Sequence, residues 1–467
     1  MRPQGYLDTP IWYENERISF FVPKEAKCEY LQVSEINPVG EIAEKVEEAL
    51  ASPLDALPLQ ELVTRHYQVG NHVVIIIDDH TRPNIHTRAL LPLLTEKLMQ
   101  YGVKKADIRL IIATGTHPPP EPIIIRERIL GYLYDEWEEQ IWLHDCDDIE
   151  NHENLGFSPN QTPILIDKRV LLCSLIIPLS DSEYHYFAGV AGSVKLFVPG
   201  VSARQTVRVN HSRIFDLETG FKTPCRMGNL DKNICIQDIR NIVSSIMKKH
   251  PIFVVDAIMH KGKIIDVFAG NPIAIHNNAV RELSRIRDVN FQEKADLVIL
   301  GKPSVDFYQL GKGFNAASHA IKEGGQIILL GACQDGVGPQ DYLETMIAVK
   351  NLPYKEAMQW IIQNKCTETT FEIGIQNAVD LFRILQLTDG QVFVYSELDP
   401  HLLRETFRVE SLNTGESSVQ EALRKFIQNF LVENPKGRIL IFEDFNILAI
   451  PETKQIHQER IFKENLK

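Results

Sequence analysis

Residues 73–83 have the sequence VVIIIDDHTRP, and this stretch decides the fold class. Five consecutive β-branched residues predict a strand buried on both faces, as in a parallel sheet. Ligands of doubly wound sheets bind outside the carboxyl ends of the strands, so the polar residues 78–83 are candidate ligand contacts. Their carboxylates, hydroxyl and guanidinium suit a ligand with hydroxyls and an anionic group. A loop with an Asp helix cap before Pro83 is the structural alternative.

Further short apolar runs repeat this pattern along the chain, at residues 108–112, 171–178, 252–255, 297–300, 327–330 and 392–395. Helical patterns lie between them, and residues 87–101 carry leucines at an amphipathic spacing. The alternation of strands and helices predicts an α/β fold with mainly parallel sheets. We expect two such domains with the active site in the crevice between them.

The length of 467 residues exceeds what one ordinary core supports, which favours two domains. A polar stretch at 287–294 precedes a new strand–loop–helix unit. We therefore expect an N-terminal cofactor-binding domain at 1–289 and a substrate-side domain at 290–420. The segment 421–467 is expected to pack back on the first domain.

Charge and cysteine content exclude several classes of protein. The formal net charge of −13 argues against nonspecific nucleic-acid binding. Seven scattered cysteines without a CxxC pair argue against a disulfide framework or a cysteine zinc site. The first 13 residues contain no apolar run of signal-peptide length, and no run is long enough for a membrane span. We expect a cytoplasmic protein with no nucleic-acid or membrane partner.

Two loops after predicted strands carry histidines and a lysine. His117 follows TGT and precedes three prolines, where a neutral imidazole could take a proton near pH 7; a surface-loop histidine is the alternative. Small residues at 188–193 could lie against a phosphate, and Lys195 follows among apolar neighbours. Burial would favour a nucleophilic amine there, although a lysine that extends to water is the alternative. His185 and His211 flank this segment.

Two further clusters are less specific. Gln309 and Lys312 share a face if residues 306–312 are helical, and a solvated helix start is the alternative reading. The sequence HDCDD at 144–148 suggests a metal cluster, but it lacks a partner at helical spacing, so we interpret it as structural or peripheral to the substrate. The remaining histidines, His86 among them, are interpreted as structural or solvated.

Taken together, these segments resemble the lactate racemase family that uses the nickel pincer nucleotide. The resemblance rests on DDHTRP at 78–83, TGTH at 114–117, YHYFAGVAGSVK at 184–195, PGVSARQTVRVNHSR at 199–213 and YQLGK at 308–312. The order and spacing of these segments agree with that family, above all the interval from Lys195 to His211. The resemblance covers most of the chain.

The resemblance implies a role for each candidate residue. Lys195 would tether the cofactor, a pyridinium-3,5-bisthiocarboxylic acid mononucleotide with nickel, through a thioamide, and His211 would be the protein ligand of the nickel. His117 and His185 would be paired acid/base residues, one for each face of the substrate. The remaining candidates would contact the cofactor or the substrate: Asp79, Thr81, Arg82, Tyr308, Gln309 and Lys312.

The implied function is a racemase or epimerase of a small 2-hydroxy acid, with the cofactor-making enzymes as partners. Its mechanism would be reversible hydride transfer, with Arg82 and Lys312 holding the substrate carboxylate. Lactate-specific members carry a pocket tryptophan at a position near 375–377, where this chain has none; Trp360 falls on another helix. We therefore expect an acid bulkier or more polar than lactate.

Two other classes of function fit parts of the sequence. One is a zinc hydrolase that uses His117, His144, His185 and His211 with carboxylates. The other is a noncatalytic protein that binds an organic acid or a nucleotide. The pair Lys195 and His211 argues against the second, because mere binding requires neither residue.

Overall fold

The computed structural model describes residues 6–452 except 15, 34, 302–305, 416 and 444. Two mainly parallel sheets dominate it, each with six strands among the described residues, and helices cover their faces. This arrangement confirms the predicted α/β fold class. Within the described ranges no helix is both long and apolar enough to cross a membrane.

The first sheet contains the stretch that decides the fold. Its strands, from one edge to the other, are Lys263–Gly270, Val254–His260, Leu175–Ser182, Val73–Asp78, Ile108–Ala113 and Ile141–Leu143. All neighbours pair in parallel except the first two, which are antiparallel. Val73 and Ile75 face one apolar cluster and Val74 and Ile76 face another, which explains why the run of apolar residues is continuous.

Helices and small hairpins surround this sheet. The α-helices are Ile42–Ala51, Leu59–His66, Ile85–Gln100, Pro122–Ile124, Tyr134–Trp137, Lys168–Leu171, Arg204–Ser212, Ile234–Met247 and Pro272–Arg287. Short 3₁₀ or π turns are Lys105–Asp107, Ile125–Leu130, Gly131–Leu133, Glu138–Gln140, Ile149–Asn151 and Ser193–Leu196. Two-stranded pairs are His152–Phe157 with Pro163–Asp167, Tyr184–His185 with Gly189–Val190, and Phe215–Asp216 with Gly220–Phe221.

Two predicted strand starts are wrong by a few residues. The run 171–178 begins in the helix Lys168–Leu171, and the strand starts only at Leu175. The Asp167 side chain accepts a hydrogen bond from the Arg169 backbone N–H, which caps this short helix. The run 252–255 likewise enters its strand only at Val254.

The second sheet is parallel throughout. Its strands, from one edge to the other, are Glu410–Ser411, Val392–Tyr395, Ile321–Leu330, Ala295–Gly301, Arg438–Phe442 and Lys27–Leu31. Its helices are Phe307–Ser318, Gln340–Val349, Tyr354–Lys365, Ile375–Leu387, Pro400–Leu402, the π turn Leu403–Phe407 and Val419–Glu433. The strands Tyr6–Tyr13 and Glu16–Pro23 form a hairpin, and Asp288–Phe291 pairs with Leu448–Pro451.

The sequence predicts that the segment 421–467 packs on the first domain; in its described part Leu448–Pro451 pairs with Asp288–Phe291, and the rest joins the second sheet. The strand Arg438–Phe442 lies inside the second sheet, and the helix Val419–Glu433 packs in the same apolar cluster as Ile299 and Ile328. Because the strand that follows this helix pairs in the second sheet, the helix lies next to that sheet and buries its apolar face against it. Residues 453–467 lie outside the described residues.

The two sheets meet across a crevice that ion pairs bridge. Arg204, on the helix Arg204–Ser212, contacts Glu372 of the second domain with 2.7 Å between Nη1 and Oε2. Arg208, one turn later, pairs with the same carboxylate. These contacts hold the segment just before helix Ile375–Leu387 over the helix that carries His211.

Candidate active site

One pocket lies at the carboxyl ends of the first sheet and is closed by the second domain. All ten candidate residues from the sequence line it: Asp79, Thr81, Arg82, His117, His185, Lys195, His211, Tyr308, Gln309 and Lys312. Those that follow strands of the first sheet converge because the loops after neighbouring parallel strands open on the same edge of the sheet. His211 comes from the helix Arg204–Ser212, and the last three come from helix Phe307–Ser318 of the second domain. The chemical role of each residue remains a prediction.

Buried Asp79 and half-buried His117 form a pair on this edge. Asp79 Oδ2 lies 2.6 Å from His117 Nδ1, while Oδ1 accepts hydrogen bonds from the Thr81 N–H and hydroxyl. Burial alone would raise the pKa of Asp79, but the His117 ring, Thr81 and Arg82 lower it to about 2. A carboxylate can only accept, so His117 Nδ1 carries a proton in this contact, and a neutral ring would have its lone pair on Nε2.

His185 is held in the opposite tautomer. Its Nδ1 accepts the Ala188 backbone N–H at 3.2 Å, so Nε2 carries the proton of the neutral ring. The ring stacks on Tyr186 and meets the edge of Phe187, with centroids 5.2 and 4.5 Å away. Burial, followed by the positive charge of Lys195, lowers its pKa well below the ordinary value. His185 is therefore a neutral hydrogen-bond donor in the free protein.

The turn before Lys195 requires glycine. Gly192 has φ +86°, and a Cβ there would lie 2.5 Å from the Ser182 Oγ. The 3₁₀ turn Ser193–Leu196 then places Lys195 on the pocket wall, with Nζ 5.7 Å from the Phe187 ring centre. Burial lowers the pKa of Lys195 to about 8. A fraction of the amine is thus uncharged and nucleophilic near neutral pH.

His211 faces the same pocket from the helix Arg204–Ser212. Its side chain packs between Phe187 and Phe371, and within the described part of the chain its buried Nδ1 accepts or donates no hydrogen bond. Burial and the nearby Lys195 charge lower its pKa well below the ordinary value. A neutral imidazole on the pocket wall is the donor that a transition metal requires. Lys195 and His211 therefore fit a tethered metal-containing group.

Two cations face the space between the domains. The Arg82 guanidinium lies 3.1 Å from the Glu183 carboxylate, and the Lys312 ammonium donates to Gln309 Oε1 at 2.7 Å. Helix Phe307–Ser318 carries Gln309 and Lys312 on one face, as the sequence predicted, and Asp306 caps it by accepting from the Gln309 N–H. These cations provide the local positive charge that an anionic substrate needs in an acidic protein.

Sequence reasoning missed several pocket residues. Glu183 lies beside Arg82, and Phe371 and Ile373 belong to the wall contributed by the second domain. Glu183 stands two residues before His185, so its position after the strand was the available signal. The other two carry no local signal, because only the fold brings them to the first sheet. Gln376, on the same wall, falls in the range 375–377 where the resemblance places the family's pocket tryptophan.

Two histidines lie outside the lining of the pocket. His86 is buried with its ring nitrogens 3.2 and 3.5 Å from the carboxylates of Asp78 and Asp181, and its structural role stays a prediction. His144 contacts Asp167 and the Ser202 carbonyl. The four-histidine set of the zinc hydrolase hypothesis is therefore not brought together. Of the carboxylates near His144, Asp147 pairs with Arg204.

The two sheets meet at a pocket that contains two histidines and a lysine of lowered pKa, a combination typical of enzyme active sites. Comparison with known proteins identifies the family of this chain. Residues 13–220 match the lactate racemase N-terminal domain, and residues 292–434 match the lactate racemase C-terminal domain. The chain belongs to the lactate racemase family, and it is an isomerase.

Individual relatives agree with this assignment. A lactate racemase of Thermoanaerobacterium thermosaccharolyticum is 31% identical over 304 residues, which cover 64% of this chain and 67% of the relative. A lactate racemase of Lactiplantibacillus plantarum is 28% identical over 393 residues, covering 81% and 85%.

Two solved structures share the fold. The lactate racemase apoprotein from T. thermosaccharolyticum has a TM-score of 0.80 at 24% identity, covering 95% of this chain and 100% of that one. A protein from Thermotoga maritima has a TM-score of 0.61 at 14% identity, covering 90% and 100%.

Proposed function

We propose that this isomerase racemises or epimerises a small 2-hydroxy acid with a nickel pincer nucleotide tethered to Lys195. When bound, the cofactor supplies a ring that takes a hydride from carbon 2 and returns it. Lys195 would hold the cofactor through a thioamide, and His211 would ligate the nickel. The lowered pKa of the Lys195 amine and the buried neutral His211 ring support this proposal.

The opposite tautomers of His117 and His185 are the observation that carries the proposal. Inversion at a carbon with a hydroxyl requires one group that takes the hydroxyl proton and another that supplies a proton from the opposite side. His117 Nε2 is the free base, since its Nδ1 proton is held by Asp79. His185 presents an Nε2–H, since its Nδ1 accepts from Ala188. The reverse direction exchanges these roles and so requires protons to be redistributed between the two rings.

Arg82 and Lys312 would hold the substrate carboxylate from opposite domains. Each already has a polar partner, Glu183 for Arg82 and Gln309 for Lys312, which fixes the position of its charge before the substrate binds. A carboxylate held in this way would present carbon 2 to the pocket that both histidines line.

The proposal is tested by incubating cofactor-loaded protein with single enantiomers of 2-hydroxy acids and resolving the products by chiral chromatography. His117→Ala and His185→Ala should each lower turnover about a hundredfold or more, as loss of a general base does. His401→Ala, at an exposed helix terminus, is the matched control and should retain the wild-type rate. Near-normal turnover by either pocket variant would contradict the two-histidine scheme.

The same proposal predicts the partners of the enzyme and the compartment in which it acts. Its partners would be the enzymes that make the cofactor, and it would act in the cytoplasm. Co-expression with those enzymes should be required for turnover, and full activity without them would contradict the cofactor assignment.

A further inference from the structure

Gln376 is a buried amide on the pocket wall whose hydrogen bonding is incomplete. It lies in the first turn of helix Ile375–Leu387 and is only 6% exposed. Its Nε2 donates to the Tyr308 hydroxyl at 3.1 Å. Its Oε1 is buried and accepts no hydrogen bond from any residue that the structure describes.

The neighbouring donors are already committed. Asn377 Nδ2 donates to the Tyr308 carbonyl at 2.7 Å, and the Tyr186 hydroxyl donates to Asn377 Oδ1 at 2.8 Å. Buried carbonyl oxygens almost always have a partner, because leaving one unsatisfied carries the full cost of its desolvation. Since Gln376 lines the pocket, the missing donor belongs to whatever occupies the pocket.

The charges of the pocket indicate whether the side chain of the bound substrate can be negatively charged. Among the described lining residues, four are acidic and three are basic: Asp78, Asp79, Asp181 and Glu183 against Arg82, Lys195 and Lys312. Lys195 becomes uncharged when it is thioamide-linked, and the substrate carboxylate engages the other two cations. Even with Asp181 protonated, the described side chains other than Lys195 contribute three carboxylates and two cations, so the protein's own charges oppose a second negative charge on the substrate.

We propose that Gln376 accepts a hydrogen bond from a hydroxyl on the substrate side chain, so that the substrate is a 2-hydroxy acid whose side chain is uncharged and carries a hydroxyl at carbon 3. The inference rests on the proposed function and deepens it. Phe371 and Ile373 line the same wall and would pack against the carbon chain. The opposite amide orientation would present an N–H and favour a side-chain carboxylate, which the negative charge of the pocket opposes.

Glycerate and lactate form the matched pair for the test, because they differ by one hydroxyl. Both acids are supplied as single enantiomers in one reaction with cofactor-loaded protein, so that the degree of cofactor loading cancels in the ratio of rates. The wild type should prefer glycerate over lactate, 2-hydroxybutyrate and malate. A preference for lactate, for 2-hydroxybutyrate or for malate would overturn the proposal.

The variant Gln376→Leu removes the acceptor at nearly constant size. It should lower kcat/KM for glycerate about tenfold, the effect of one neutral hydrogen bond, and leave kcat/KM for lactate within about threefold. Gln363→Leu, on the exposed face of helix Tyr354–Lys365, is the control and should change neither value. An equal loss for both acids would show that Gln376 acts only by supporting Tyr308, and would also overturn the proposal.

The outcomes separate this inference from the function on which it rests. If the loaded wild type inverts no 2-hydroxy acid, the proposed function itself fails. If it inverts lactate well and Gln376→Leu leaves the glycerate-to-lactate ratio unchanged, only the role of Gln376 fails. If Gln376→Leu does not fold, the preference of the wild type for glycerate over lactate, 2-hydroxybutyrate and malate still tests the proposal.

Discussion

Replacing Asp79 by Asn should disable His117 as a base while leaving the shape of the pocket intact. Two donors of Thr81, its N–H and its hydroxyl, hold Asp79 Oδ1, so the amide oxygen of the substituted side chain must take that position. The amide nitrogen then takes the place of Oδ2, which lies 2.6 Å from His117 Nδ1. Because that nitrogen can only donate, Nδ1 must accept, and the ring proton moves to Nε2. His117 then has no free lone pair for the substrate hydroxyl.

The expected loss of kcat in Asp79→Asn has an electrostatic cause and a tautomeric cause. A pKa of about 2 for Asp79 instead of 3.8 corresponds to about 2 kcal/mol in favour of the ionised carboxylate. Burial opposes that ionisation, so His117, Thr81 and Arg82 together provide the gain. Replacing the carboxylate also removes a negative charge beside the ring that takes up the proton, which slows proton acceptance. With the wrong tautomer added, we expect kcat to fall between about 10² and 10⁴.

The assay compares kcat and KM of cofactor-loaded wild type and Asp79→Asn by chiral chromatography, with nickel content measured on the same samples. Asp231→Asn, at an exposed position, is the matched control and should behave as wild type. Asp79→Asn should keep its nickel and lose kcat. A kcat within about threefold of wild type at equal nickel content would refute the tautomer argument.

Three further predictions follow from the buried groups. Lys195→Ala should abolish a cofactor adduct that intact mass spectrometry detects on the wild type and on the exposed-lysine control Lys249→Ala; an adduct that survives on Lys195→Ala would overturn the tether. His211→Ala should lose nickel in elemental analysis, since a metal ligand must be a deprotonated imidazole nitrogen, and full nickel occupancy would show that another residue holds the metal. Burial raises the pKa of Asp256 from 3.8 to about 7, so the folded state favours the protonated acid, and this carboxyl lowers stability progressively as pH rises from about 4 to 7. Asp256→Asn should therefore raise the free energy of unfolding at pH 8 by on the order of 4 kcal/mol and have little effect at pH 4; equal effects at the two pH values in urea titrations would contradict the assignment.

Much of the fold follows from local sequence, because strands buried on both faces are continuous apolar runs. The run at 73–77 illustrates this, since its alternate residues face two different apolar clusters. The destination of the C-terminal strand Arg438–Phe442 could not be predicted in this way. Its place in the second sheet depends on pairing with Ala295–Gly301 and Lys27–Leu31, partners remote in sequence.

The candidate site likewise contains some residues that local sequence predicts and others that it does not. Asp79, His117 and Lys195 follow strands or strand-end loops, so the carboxyl-end rule predicts that they meet. The contact that sets the tautomer of His185, a backbone N–H from Ala188, depends on the turn of a two-residue hairpin and leaves no signal in residue type. Gln376 reaches the pocket only through packing of the second domain.

The fate of the hydrogen on carbon 2 tests the central claim most directly. A single enantiomer of a 2-hydroxy acid, deuterated at carbon 2, is incubated in ordinary water with the loaded protein, and the inverted product is analysed by mass spectrometry. Hydride transfer keeps the carbon-bound hydrogen away from the two histidines and the solvent, so the account predicts that the product retains its deuterium. Simple proton abstraction would pass that hydrogen to a histidine that exchanges with water. Inverted product that has lost its deuterium would contradict the account.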